Sequence, residues 1–167
     1  MINLNKSGYI MILVTGGAGF IGGNFVLDWL SNPSAEGIVN LDKLTYAGNL
    51  ATLDPLKADS RHIFVHGDIS DKELVAKLLN EFAPRAIVNF AAESHVDRSI
   101  DGSEDFIHTN CFGTNVIMDA ARRLEMQRVV HIGTDEVYGS VEVGSSKETD
   151  GLEPRSPYSA SKAGSDL

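Results

Sequence analysis

An α/β domain built on a doubly wound parallel sheet, with strand order 3-2-1-4-5, is the fold this sequence predicts, on three observations. Short apolar runs alternate with amphipathic helical stretches along the chain, with no repeat or low-complexity linker between them. One run, residues 86–92, is apolar almost throughout, as a central parallel strand covered on both faces must be. The first run, residues 11–15, opens directly into a glycine-rich turn and then a helix, the unit from which such sheets start.

Composition limits the alternatives. With 167 residues and 43% hydrophobic content the chain can bury one full core, which predicts a single domain over residues 11–167 behind a flexible polar tail at 1–10. No stretch reaches the roughly 20 apolar residues of a membrane span, and the N-terminus lacks the apolar centre of a secretion signal, so the expected location is cytoplasmic and without membrane contact. The single cysteine, Cys111, has no partner for an internal disulfide and is expected to pack in a helix. A net charge of −9, with no basic cluster beyond Arg122-Arg123, argues against a nucleic-acid partner.

The elements follow in order. After the first strand, Gly16, Gly17, Gly19 and Gly22 crowd one short loop, and the last three fit G-x-G-x-x-G. Backbone without Cβ atoms can approach a bulky anion there, and the next helix aims its unpaired N–H groups at the same point, which suits a pyrophosphate. Asp42 closes the second apolar run twenty residues after Gly22, the distance at which a dinucleotide site places its acid. The first helix is expected over 20–30, burying Phe25, Val26, Trp29 and Leu30, with Asn32-Pro33 ending it. Residues 43–49 form a polar loop long enough to wrap a ribose and adenine, and a third strand spans 62–66, closed by Gly67-Asp68-Ile69. Ser70 with Glu73 reads as a capping box for a helix burying Leu74, Val75, Leu78, Leu79 and Phe82. Small residues at the end of strand four again admit a ligand. A long helix over 103–124 is expected to turn Phe106, Ile107, Val116, Ile117, Ala120 and Leu124 to the sheet, and strand five spans 128–132.

Chemistry is expected after strand five, where ligands of this architecture bind. Thr134, Asp135 and Glu136 place a hydroxyl and two adjacent carboxyls there. Ser156 caps a further helix with Pro157 in its first turn, and that helix carries Tyr158 and Lys162 four apart, on one face. The ammonium beside the phenol, with an oxidised nicotinamide close by, would favour the phenolate. Moving a tyrosine pKa from about 10 to about 7 needs roughly 4 kcal/mol of differential stabilisation. His95 and Arg98 read as structural or phosphate-adjacent, and the scattered histidines give no metal site.

Residues 15–22, Tyr158-x-x-x-Lys162 and the hydroxyl of Thr134 resemble the extended short-chain dehydrogenase/reductase family, whose fold is a Rossmann-type NAD-binding domain. Residues 42–49, 91–99 and 134–139 resemble its dTDP-sugar 4,6-dehydratases in particular. The resemblance implies NAD as cofactor and a dTDP-hexose as substrate, in rhamnose-type nucleotide-sugar biosynthesis, with a homodimer for the complete protein. It assigns Tyr158 as the base for the C4 hydroxyl, Lys162 as the group that depresses its pKa and holds the ribose, and Thr134 as that hydroxyl's hydrogen-bond partner. It assigns Glu136 as the base at C5 and a protonated Asp135 as the acid for the departing C6 hydroxyl. Asp42 would hold the ribose hydroxyls and favour NAD over NADP. The remaining cofactor contacts carried over are Gly16, Gly19, Phe20, Ile21, Gly22, Lys43, Leu44, Thr45, Asp68, Ile69, Phe90, Ala91, Ala92, Ser94 and Thr109, with Ser94 also near substrate. Family members are about twice this long, and the chain stops inside a helix without a terminating signal, so it reads as a fragment lacking the substrate-binding region. Two other readings stay open: an NAD-dependent sugar-nucleotide epimerase or decarboxylase, against which the acid pair speaks, and an inactive nucleotide-binding fragment.

Overall fold

The computed structural model describes residues 8–167. Five strands form one parallel sheet in the order β3-β2-β1-β4-β5: β1 Met11–Thr15, β2 Gly37–Asp42, β3 His62–His66, β4 Ile87–Asn89 and β5 Val129–His131. The order matches the sequence expectation. Residues 1–7 of the expected tail lie outside the described residues; Tyr9 is packed against the core and the Ile10 carbonyl accepts the Gly37 N–H at 2.9 Å.

β1 is central because both of its faces are apolar. Met11 and Leu13 face one way and Ile12 and Val14 the other, and all four are at most 1% exposed. Met11 and Leu13 join Val39, Leu41 and Ile87 under α2 (Lys72–Phe82) and α5 (Thr114–Arg123), which supply Val75, Leu78, Leu79, Val116, Ile117 and Ala121. Ile12 and Val14 join Ile38 under α1 (Phe20–Ser31), which supplies Val26 and Leu30, and under a 3-10 helix, Leu50–Leu56, supplying Leu53 and Leu56. Each such aliphatic side chain, taken fully from water, contributes about 1.5–3 kcal/mol.

Several expectations change. β4 pairs only over Ile87–Asn89, because β1 stops at Thr15, opposite Asn89, and the chain then turns at Gly16; Phe90 still donates its N–H to the Thr15 carbonyl at 3.0 Å, and residues 90–92 line the crevice. α2 is capped by Asp71, whose Oδ1 accepts the Leu74 N–H at 2.9 Å, rather than by Ser70. Ser70 instead donates its own N–H to Asp68 Oδ1 at 2.9 Å, so an Asx turn uses the serine one residue too early to cap. The short helix α3 (Val96–Asp101) and the 3-10 helix were not legible. The expected long helix is three pieces: α4 (Glu104–Phe106), a π-helical stretch at Ile107–Gly113 and α5. The π stretch breaks the 3.6-residue phase, so Phe106 is buried while Ile107 is 51% exposed; Leu124, the C-cap residue of α5, is also largely in solvent.

Asp71→Ala should lower stability by about 1 kcal/mol, and Asp71→Asn by only a few tenths. Urea unfolding midpoints of the three proteins check this assignment of the cap.

Candidate active site

The site grows from the turn that ends β1. Gly16 has φ +71°, and a Cβ built on it would stand 2.6 Å from the Ala91 nitrogen, so both its conformation and its surroundings demand glycine. A Cβ on Gly22 would overlap the carbonyl of Gly16. The loop between them delivers the chain into α1, whose N-terminus at Gly19 has no side-chain cap. Asp42, at the end of β2, is buried and accepts two backbone N–H groups, from Ala18 to Oδ2 and from Leu44 to Oδ1, both at 2.8 Å. The carboxylate therefore ties the glycine loop to the neighbouring strand while keeping lone pairs free for a further donor.

A cleft of about 510 Å³ opens along the carboxyl ends of the strands. One wall is the glycine loop and first helical turn: Gly16, Gly19, Phe20, Ile21 and Gly22. A second comes from the ends of β2 and β3, with Asp42, Lys43, Thr45, Asp68 and Ile69, and the third from the end of β4, with Phe90, Ala91, Ala92 and Ser94. Thr109 reaches it from the π-helical stretch. Leu44 is the exception among the residues carried over: at φ 54° it turns its side chain into the core beneath α1 instead of into the cleft. Leu41, Gly67, Glu93 and Ile132, for which the sequence suggested no ligand contact, also line it, as do Ala47 and Gly48 of the loop expected to wrap the adenosine. Among the first four, Gly67 carried a signal, since the glycine ends an apolar segment at the same end of the sheet.

The cleft rims are fastened by charge and stacking. Lys43 pairs with Asp68 at 2.7 Å; burial works against the Asp68 carboxylate, but Lys43 and Ser70 outweigh it and hold its pKa below the ordinary value. Tyr46 donates to Glu93 Oε2 at 3.2 Å and the Arg98 guanidinium lies 3.9 Å from the Tyr46 ring centre, so Arg98 has a structural partner across the rim. Asn110, buried in the π-helical stretch, accepts the Glu93 N–H at 2.8 Å and donates to the Glu93 carbonyl at 2.9 Å and to Ser161 Oγ at 2.8 Å. Standing beside His108 and Thr109, Asn110 carried no local sequence signal.

The second group of residues stands past Ile132, beside the cleft rather than lining it. Thr134 caps a 3-10 helix, Asp135–Tyr138, with its Oγ1 accepting the Glu136 N–H at 3.3 Å, and Asp135 and Glu136 are exposed. α6 (Pro157–Asp166) begins at the expected Ser156 cap, and its capping box uses Ser159. The Tyr158 N–H donates to the buried Ser99 Oγ at 3.1 Å, and Phe106 meets the Tyr158 ring edge-on at 6.5 Å. Burial raises the Tyr158 pKa; a hydrogen bond from Thr134 opposes the rise, and the Glu136 and Asp135 carboxylates add to it, leaving the phenol above its ordinary value. The depression expected from Lys162 is not seen, because Lys162, 3% exposed, donates to the Ile132 carbonyl at 2.5 Å and is itself pushed below the ordinary lysine value by burial. Thr134, Asp135, Glu136 and Tyr158 thus form one cluster, with Lys162 beneath it.

The chain belongs to the GDP-mannose 4,6-dehydratase family, whose profile matches residues 13–167. It is 55% identical over 164 residues to a dTDP-glucose 4,6-dehydratase of Xanthomonas campestris pv. campestris, covering 92% of this chain and 46% of that relative. It superposes on a dTDP-glucose 4,6-dehydratase of Streptomyces venezuelae solved with NAD bound, with TM-score 0.90, 54% identity, and 94% and 49% of the two chains covered. A UDP-glucose 4-epimerase of Thermus thermophilus solved with NAD is also similar, with TM-score 0.81, 32% identity, and 93% and 48% covered. The chain spans about half the length of the relatives it matches. Among the described residues no helix is long and apolar enough to cross a membrane.

The double hydrogen bond at Asp42 has a consequence before any ligand binds. With each charge-assisted bond contributing about 1.5–3 kcal/mol, Asp42→Ala should destabilise the ligand-free chain by about 3 kcal/mol or more. Urea unfolding without added nucleotide measures it, and Asp42→Asn should retain part of the loss.

Proposed function

We propose that this member of the GDP-mannose 4,6-dehydratase family provides the NAD-holding and reacting half of a dTDP-hexose 4,6-dehydratase. The observation that carries the reading is that the Asp135-Glu136 pair stands on the 3-10 helix capped by Thr134, which packs near α6, close enough for both carboxylates to act on the Tyr158 phenol, so that one phenol, one hydroxyl and two carboxyls gather after β5. An epimerase using the same tyrosine and lysine has no task for that pair, and the fold is shared by both kinds of relative.

What supports NAD is the cradle itself. Gly16 and Gly22 let the loop fold tightly against Ala91 and onto itself, the uncapped start of α1 offers donors to a pyrophosphate, and Asp42 keeps lone pairs for ribose hydroxyls. Gly19, Phe20 and Ile21 would flank the phosphates, Lys43, Thr45, Asp68 and Ile69 the adenosine side, and Phe90, Ala91, Ala92, Ser94 and Thr109 the floor. When bound, NAD supplies the acceptor for hydride from the sugar's C4 and its donor back to C6. Around it, Tyr158 takes the C4 hydroxyl proton with Thr134 orienting that oxygen, Lys162 holds the ribose, and the positive charge of the bound nicotinamide favours the phenolate. Glu136 removes the proton at C5, made acidic by the new C4 ketone, and Asp135 is the acid that delivers a proton to the C6 hydroxyl as it leaves. Ser94 lies where it can also meet substrate. The overall product is a 4-keto-6-deoxy sugar nucleotide, suited to rhamnose-type synthesis in the cytoplasm. The acidic net charge is consistent with a small-molecule partner in place of nucleic acid, and a homodimer is the assembly we assign to the complete enzyme.

In the complete enzyme, Glu136→Gln should slow elimination at least tenfold while C4 oxidation proceeds, so the absorbance of reduced nicotinamide builds up in a single turnover. Tyr158→Phe should abolish that absorbance change. A Glu136→Gln protein that forms 4-keto-6-deoxy product at the wild-type rate contradicts the assignment. Asp42→Ala should weaken NAD by about tenfold or more and NADP by less, by calorimetry at a temperature where the variant is folded.

A further inference from the structure

A chain of hydrogen bonds crosses the sheet below the cleft and ends on α6. The Thr15 hydroxyl accepts the Ala91 N–H at 3.3 Å and spends its own proton on Asn89 Oδ1. Asn89 therefore turns its amide nitrogen, a donor, to His131 Nδ1 at 3.0 Å. With Nδ1 accepting, the imidazole proton sits on Nε2, which faces Ser165 Oγ at 3.2 Å, with Asp166 Oδ1 at 3.6 Å. Ser165 passes the direction on, donating to the carbonyl of Lys162 at 2.7 Å. Every group from β1 to α6 has one donor meeting one acceptor. The residue after His131, Ile132, offers the carbonyl that takes the Lys162 ammonium. Lys162 is thus held at both ends by the dipeptide His131-Ile132, through Ser165 at its backbone and directly at its Nζ.

We propose that His131 is a positioning residue for Lys162: as a neutral imidazole protonated on Nε2, it fastens the last turns of α6 to β1 and β4 and so fixes the lysine beneath the reacting cluster. This rests on the reading of Tyr158 and Lys162 as the reacting pair. The charged groups facing His131 are Lys162 and Asp166, both from α6; β4 presents the neutral Asn89 and β1, through it, the neutral Thr15. Protonation would set an N–H at Nδ1 against the Asn89 amide donor and bring a second positive charge near Lys162. Burial, and then Lys162, hold His131 below the ordinary histidine pKa, with Asp166 opposing, so the chain of bonds persists through the neutral range and breaks only in acid.

The test reads His131 apart from turnover, in the Met1–Leu167 chain. Long-range ¹⁵N spectra of the histidine rings should show His131 protonated at Nε2 only. Amide exchange within residues 161–166 should become about tenfold faster or more in His131→Phe, with α2 amides unchanged, and stay within about threefold of wild type in His131→Gln, which can both accept and donate. Lowering the pH through the His131 titration should speed the same α6 amides in the wild-type chain. A proton on Nδ1, α6 exchange indifferent to His131→Phe, or equal loss in the two variants overturns the proposal. Should the phenylalanine variant not fold, the glutamine variant and the wild-type pH series decide it by the same criteria. In the complete enzyme, His131→Phe should lower kcat and weaken NAD, both by less than Lys162→Ala does, while His131→Gln stays close to wild type in both, as expected when positioning alone is lost. If the exchange results hold and Tyr158→Phe leaves turnover intact, the catalytic reading fails and the clamp stands as structure.

Discussion

The backbone of Gly16 runs against that of Ala91 with no space for a single methyl group between them, and the rest of the site depends on that approach. It lets the chain leave β1 in a left-handed turn without meeting the end of β4, so the two strands can be neighbours and still diverge at their carboxyl ends. The divergence is the crevice. From the other side, Asp42 fixes the same loop to β2 through the Ala18 N–H, so three strand ends are held around one opening by a missing side chain and one carboxylate. These two devices also aim α1, whose exposed Phe20 and Ile21 then stand at the cleft mouth.

The electrostatics of the cluster around Tyr158 work against ionisation of its phenol. Burial raises the Tyr158 phenol and lowers the Lys162 ammonium, so each group is biased to its neutral form, and the nearby carboxylates push the phenol further. Thr134 supplies the opposing hydrogen bond. A positive charge entering the neighbouring cleft would oppose the carboxylates at the phenol, while the lysine, already fixed on Ile132, need not move. The protein's own residues supply the positions, and the ligand completes the charge balance.

Much of this could be read before the structure was known, for physical reasons that differ by element. β3 was found at its observed limits because a β-branched and aromatic run stands between a turn and a glycine, and the Ser156 cap of α6 because serine followed by proline has few other uses. The cap of α2 was misplaced by one residue, since Asp68, Ser70 and Asp71 all can accept a backbone N–H and sequence does not say which turn each will close. Ile107 was given to the core because the reading assumed an unbroken 3.6-residue period, which the π stretch violates. In the site, the residues that meet a ligand pattern were visible as motifs; those that only hold others, such as Asn110 and Ser99, were not, because a buried hydrogen bond between distant segments leaves no spacing to detect.

The π-helical stretch gives the helix after α3 two independent phases. Each residue advances an α-helix by about 100°, so an added residue within the widened turn re-aims everything that follows without lengthening the path much. Before it, Phe106 faces the Tyr158 ring; within it, Asn110 bridges to the loop after β4; beyond it, Val116, Ile117 and Ala121 face the sheet. One helical rod therefore works as a gear between two layers. Deleting a single residue between 107 and 113 would restore a regular helix and turn its two halves out of mesh, whereas a like-for-like substitution at an exposed position such as Ile107 leaves the meshing untouched. The tolerance of this segment to change is thus governed by its count of residues more than by their kind.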